Sequence, residues 1–151
     1  MTESDAGPVP GRDLPADPRR LVLADLVARL AAGLATRARD YEAAAGQEGA
    51  LRRPLQELAR AKHAQLADLA PLCDALGAPR SALPTPALAS PPLAWGVILG
   101  KAFQAERDLE GLGRELGGLA ADPAIKALAA RLAAGADRDG REVRRLYLRY
   151  T

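Results

Sequence analysis

Leucine and alanine recur at three- and four-residue steps through four long stretches, the spacing that lays one apolar face along an α-helix. The first stretch opens at Asp17-Pro18, where a capping carboxylate precedes a proline suited to the first helical position, and runs to Ala45 ahead of Gly46. The second runs from about Leu51 to Leu76 and stops at Gly77, with Pro79 behind it. Pro54 fits that helix only near its front. Residues 77–90 hold three prolines and little periodicity, which makes them a connection. A third helix is predicted from Ser90-Pro91-Pro92 to about Ala120. The fourth starts on a second Ala-Asp-Pro triplet, Ala121 to Pro123, and reaches Tyr150. Residues 1–16 carry no period and read as a disordered leader, leaving residues 17–151 as one domain.

Each predicted helix spans about 39–42 Å at 1.5 Å per residue. Four rods of matching length imply an all-α, antiparallel four-helix bundle. The short links within each pair predict two helical hairpins. The 14-residue middle connection covers roughly 46–50 Å when extended, which permits a long crossover between helices 2 and 3. That is the ferritin-like topology; a long loop lying on the surface is the alternative.

Each stripe is interrupted by one charge. Arg37 borders the first helix's Leu30, Leu34 and Tyr41, and Lys62 falls between Leu58 and Leu69 in the second. Glu106 lies between Ala102 and Leu109 in the third, and Asp139 between Ala136 and Val143 in the fourth. An isolated buried charge costs several kcal/mol, so such groups are paired when buried. The pattern predicts a buried polar layer of Arg37, Lys62, Glu106 and Asp139. Lys62 would pair with Glu106 or Asp139, and Arg37 with the remaining acid. The alternative is that the long basic stems carry their charges along the stripe edges to water.

Composition narrows the rest. Alanine (34) and leucine (25) dominate the apolar residues, while valine, isoleucine and threonine together number 11, too few for β-sheet faces. One histidine, His63, and one cysteine, Cys73, exclude a Cys/His zinc site, an internal disulfide and a pair of histidine ligands. His63 lies off the stripe and reads as a surface residue, Cys73 on it as an inert core residue. Trp95 is expected in the core. Gly111, Gly113, Gly117 and Gly118 predict either close approach by another helix or a frayed helix end. Five arginines between Arg138 and Arg149 form a solvated face, or a face for an acidic partner or phosphate. The net charge of +2 does not point to nucleic acid. The longest apolar run, Leu93 to Leu99, is far short of the roughly 18 residues of a membrane span. With no secretory signal at the N-terminus, a cytoplasmic location is expected.

Several segments together resemble a ferritin-like domain of the rubrerythrin type: Asp40-Tyr41-Glu42-Ala43-Ala44 in the first helix, Leu55-Gln-Glu-Leu58-Ala59 in the second, Glu106 in the third, then Ala121-Asp122-Pro123, Ile125-Lys-Ala-Leu128 and Arg131-Leu132-Ala133. The likeness covers about 130 residues. It implies a bundle that, in its metal-binding members, holds two irons on a glutamate from each of two helices and a Glu-x-x-His pair from each of the others. Carried onto this sequence, those positions fall on Leu34, on Lys62 and Gln65, on Glu106, and on Ala136 and Asp139. Glu106 alone keeps a ligand of the family type, and a lysine inside the site opposes a cation.

The resemblance therefore implies the fold without the activity. No cofactor and no catalytic residue is expected, and the favoured function is a non-catalytic structural or interaction module that docks on a protein partner or on itself. The second possibility is a metal-dependent oxidoreductase or iron-handling protein using Glu106 and Asp139. A third, adaptor delivery through the leader, rests on residues 1–16 alone.

Overall fold

The computed structural model describes residues 17–47, 49–79 and 94–151. The predicted leader, most of the middle connection and the expected helix start at Ser90 to Pro92 lie outside the described residues. Within them the chain is all-α, with α1 at Pro18–Ala45, α2 at Arg52–Leu76, α3 at Trp95–Leu119 and α4 at Pro123–Tyr150.

The two Ala-Asp-Pro triplets start helices by one mechanism. Asp17 accepts a hydrogen bond from the Arg19 backbone N–H at 3.1 Å, and Asp122 one from Ala124 at 2.8 Å. In each case the next residue is proline, whose missing N–H costs nothing at the first helical position. At its far end α2 turns off at Gly77, which takes a left-handed φ of 68°. The Ala78 N–H reaches back to the Cys73 carbonyl at 2.8 Å, closing the helix end. Pro54 sits in the first turn of α2, as its missing donor requires, but the helix also continues through Pro71.

The α1–α2 and α3–α4 contacts are the most extensive, α1–α3 is smaller and α2–α4 is the smallest. Among the described residues α1 and α4 make no backbone approach, nor do α2 and α3, so these pairs occupy the diagonals. The core divides into two apolar clusters. One joins Leu23 and Val27 of α1 to Leu69 and Cys73 of α2, Leu116 of α3 and Leu128 of α4. The other joins Tyr41 and Ala45 to Leu51 and Leu55, Leu99 and Leu146. Trp95 is only partly buried against this second cluster.

The glycines of α3 have different surroundings. A Cβ on Gly113 would lie 3.1 Å from the Ala133 nitrogen and 3.3 Å from the Ala129 carbonyl oxygen, so this glycine lets α3 and α4 approach backbone to backbone. Gly111 and Gly118 face open space, and the helix is not frayed there, since it continues through Gly118 to Leu119.

Candidate functional site

Between the two apolar clusters lies a charged waist. Lys62 is placed there by α2, with Leu58 and Leu69 on the same helix face holding its stem inward. The ammonium exposes no surface. Its Nζ donates to Glu106 Oε1 at 2.5 Å and to Gln65 Oε1 at 3.0 Å, and stands 3.0 Å from Asp139 Oδ2. An ammonium has three protons, and three protein oxygens surround this one.

Each oxygen is itself fixed. Glu106, wholly buried on α3, accepts from the Tyr41 hydroxyl of α1 through Oε2 at 2.5 Å. Gln65 bridges, since its Nε2 donates to Asp139 Oδ2 at 3.0 Å while its Oε1 serves Lys62. The other Asp139 oxygen accepts from Arg138 Nε at 3.2 Å, at the edge of a surface groove between α2 and α4 that Leu58 also lines. All four helices thus meet in one hydrogen-bonded group. Two cations, Lys62 and Arg138, face two carboxylates.

One of two glycines that α4 places beside the waist is needed for the fit. A Cβ on Gly135 would lie 2.8 Å from Gln65 Nε2, and one on Gly140 would lie 3.4 Å from the Glu106 Cβ. Without the first glycine the Gln65 bridge would be displaced.

Electrostatics follow from this burial. Desolvation pushes the Glu106 carboxyl above the ordinary carboxylate value, and the Lys62 charge and hydrogen bond pull it back in part. Tyr41 is pushed far above the ordinary phenol value, chiefly by burial and then by the Glu106 charge and hydrogen bond. Its hydroxyl is a permanent donor at accessible pH.

Arg37 stands apart from this group. The sequence expectation paired it with whichever acid Lys62 left free, but Glu106 and Asp139 both converge on Lys62. Arg37 instead donates to Asp40 Oδ2 at 2.6 Å within its own helix, and its guanidinium lies 5.3 Å from the centre of the Tyr41 ring. A partner three residues away on the same helix requires no long-range docking.

Sequence reasoning missed two members of the waist. Tyr41 lies on the apolar α1 stripe, and the signal it carries is its hydroxyl, which needs a partner when buried. Gln65 falls on a ligand position of the resembled family, while its three-residue spacing from Lys62 puts both on one helix face. Leu34 and Ala136, the other carried-over ligand positions, are buried in the first apolar cluster. His63 is part-exposed, 3.2 Å from Glu42.

The waist does not fit a divalent metal or a dinuclear centre. The carboxylates of Glu106 and Asp139 face an ammonium that takes the place a metal ion would need, and the remaining donors are an amide and a phenol. Among the described residues no three His, Cys, Asp or Glu side chains are grouped as a metal would require. Nor is Lys62 free to act as a nucleophile, since its ammonium is buried and held by two hydrogen bonds and an ion pair. What the arrangement does chemically is hold four helices to one another. The chain matches no protein-family model, no curated protein and no solved structure.

Among the described residues no helix is long and apolar enough to cross a membrane.

Proposed function

We propose that this chain is a ferritin-like four-helix bundle whose metal centre has given way to a tethered cation, and that it serves as a non-catalytic structural or protein-interaction module. The observation that carries this is the wholly buried Lys62 ammonium, hydrogen-bonded to Glu106 and Gln65 and ion-paired with Asp139 at 3.0 Å. A charge that a metal would supply is here supplied by a side chain.

The composition of the two core clusters supports the topology. The early residues of α1 and α4 share one cluster with the late residues of α2 and α3, and the other cluster has the converse membership. That pattern supports antiparallel hairpins with α2 and α3 running the same way, so that α2 ends and α3 begins at opposite ends of the bundle, as the ferritin-like reading requires. A cytoplasmic location goes with this reading.

The test is metal loading. Purified protein is incubated with ferrous iron or manganese, desalted and assayed for bound metal and for thermal stability. The expected result is no stoichiometric metal and no shift in Tm. Stoichiometric metal that disappears in Glu106→Ala would overturn the proposal in favour of an iron-handling or oxidoreductase protein. The interaction half is tested by sedimentation of the purified chain with a cross-linked partner identified by mass spectrometry. A chain that stays monomeric and captures no reproducible partner overturns that half.

A further inference from the structure

The waist is internal, so a partner must be met on the outside; both ends of the bundle expose large apolar side chains, and at one of them these are interleaved with arginines that lack a carboxylate partner. It is the end where the second apolar cluster lies, formed by the start of α3 and the last turns of α4. Val97 is 45% exposed, Tyr147 41%, Leu148 68% and Tyr150 38%. Gly96 of α3 faces Tyr147 and Thr151 at the end of α4, at 3.9 Å and 3.7 Å from the position of a Cβ, so the two helix ends lie side by side there.

The charges at this end are unbalanced. Arg141 is paired with Asp137 and Arg145 with Glu142, each on its own helix. Arg144 and Arg149 have no carboxylate three or four residues away on α4. Arg149 instead lies 5.5 Å over the Tyr150 ring. Of the four arginines from Arg141 to Arg149, two are paired with acids and two, Arg144 and Arg149, are not. Arginines without a carboxylate partner, interleaved with exposed leucine, valine and tyrosine, combine phosphate-binding guanidinium forks with apolar groups and amphipathic rings. A soluble polyanion with no apolar surface would use the charges and leave Leu148 and Val97 exposed. An anionic bilayer surface would use both, with guanidinium groups at the phosphates and the apolar side chains below them.

We propose that this end of the bundle, centred on Arg144, Tyr147, Leu148 and Arg149, docks on the surface of an anionic lipid membrane. The docking is peripheral, with no helix crossing the bilayer. It does not depend on the waist, so it stands or falls separately from the loss of a metal site.

The experiment is co-sedimentation of the full chain with vesicles of phosphatidylcholine alone and of phosphatidylcholine mixed with phosphatidylglycerol. Binding to the anionic vesicles is expected to exceed binding to the neutral ones on the order of a hundredfold and to fall as salt is raised. Arg144→Glu/Arg149→Glu should abolish the preference, and Leu148→Ser should weaken binding about tenfold. These positions are exposed, and an unchanged circular dichroism spectrum confirms that the variants fold. Equal binding to both vesicles, or binding to neither, overturns the proposal. So does binding that the charge reversals remove but Leu148→Ser leaves intact, which identifies a polyanion-binding surface instead of a bilayer-docking one.

Discussion

Lys62 Nζ lies 2.5 Å from Glu106 Oε1, and neither side chain exposes any surface. Burying both ions is costly, and their attraction offsets that cost only because each is also hydrogen-bonded elsewhere. Removing one partner should therefore be far worse than losing a surface pair. Lys62→Met is expected to lower the free energy of unfolding by about 3–5 kcal/mol, because it strands the Glu106 carboxylate in the interior and leaves Asp139 with Arg138 as its counter-charge. Adding Glu106→Gln should recover part of the loss. Urea unfolding of the two single variants and the double variant gives the coupling, and a value near zero would mean the two groups do not interact.

Stability should carry a signature of Glu106 in its pH dependence. The folded carboxyl binds its proton more tightly than the unfolded one, so the folded state holds more protons between the ordinary value of 4.5 and the raised one. The contribution of this group is fully favourable below that window and is lost as pH rises through it. Glu142 has the opposite sign: the Arg145 hydrogen bond lowers its value, so its contribution is lost as pH falls. Subtracting the Glu106→Gln curve from that of the unaltered protein isolates the first group. The difference should fall with rising pH; a flat difference would remove Glu106 as the cause.

Tyr41→Phe removes only the hydroxyl that donates to Glu106 Oε2. A hydrogen bond to a charged acceptor contributes about 1.5–3 kcal/mol, so a loss of that size is expected in denaturant unfolding. In the unaltered protein the ultraviolet tyrosinate band of Tyr41 should be absent in alkaline solution until the chain unfolds, since burial and Glu106 both oppose ionisation. Its appearance in the folded state would contradict the buried contact.

The glycines give a prediction of mixed sign. Alanine at Gly111 or Gly118 meets nothing within 4 Å and should raise stability by about 0.5–1 kcal/mol through helix propensity alone. Alanine at Gly135 would press on Gln65, and alanine at Gly113 on the α4 backbone; each should cost about 1–3 kcal/mol. Thermal unfolding of the four variants separates the pairs. A uniform response would show that only backbone entropy is at work.

The helices were legible in the sequence because their signals are local. Asp17 and Asp122 cap, the prolines behind them fit only a first turn, and the leucine stripes face inward where the periodicity puts them. Lys62, Glu106 and Asp139 stood out because each interrupts a stripe. Their partners were harder to find. Tyr41 reaches Glu106 from another helix through the length of its ring, which periodicity does not measure. Arg37 followed a rule of its own helix, taking Asp40 three residues on. In α3, composition could not distinguish Gly113 from Gly111, because only the position of α4 decides which glycine is needed.

The waist has a consequence for alignment. Alanine and leucine stripes are nearly self-similar along their length, so one helix sliding past its neighbour by a turn, about 5.4 Å, would still match apolar groups to apolar groups. The ammonium of Lys62 has no such second choice. One axial position alone gives it its three oxygens, and the same position gives Tyr41 and Gln65 their partners. The charged group acts as a key that fixes the bundle's register, which two apolar cores of such repetitive composition would leave undetermined.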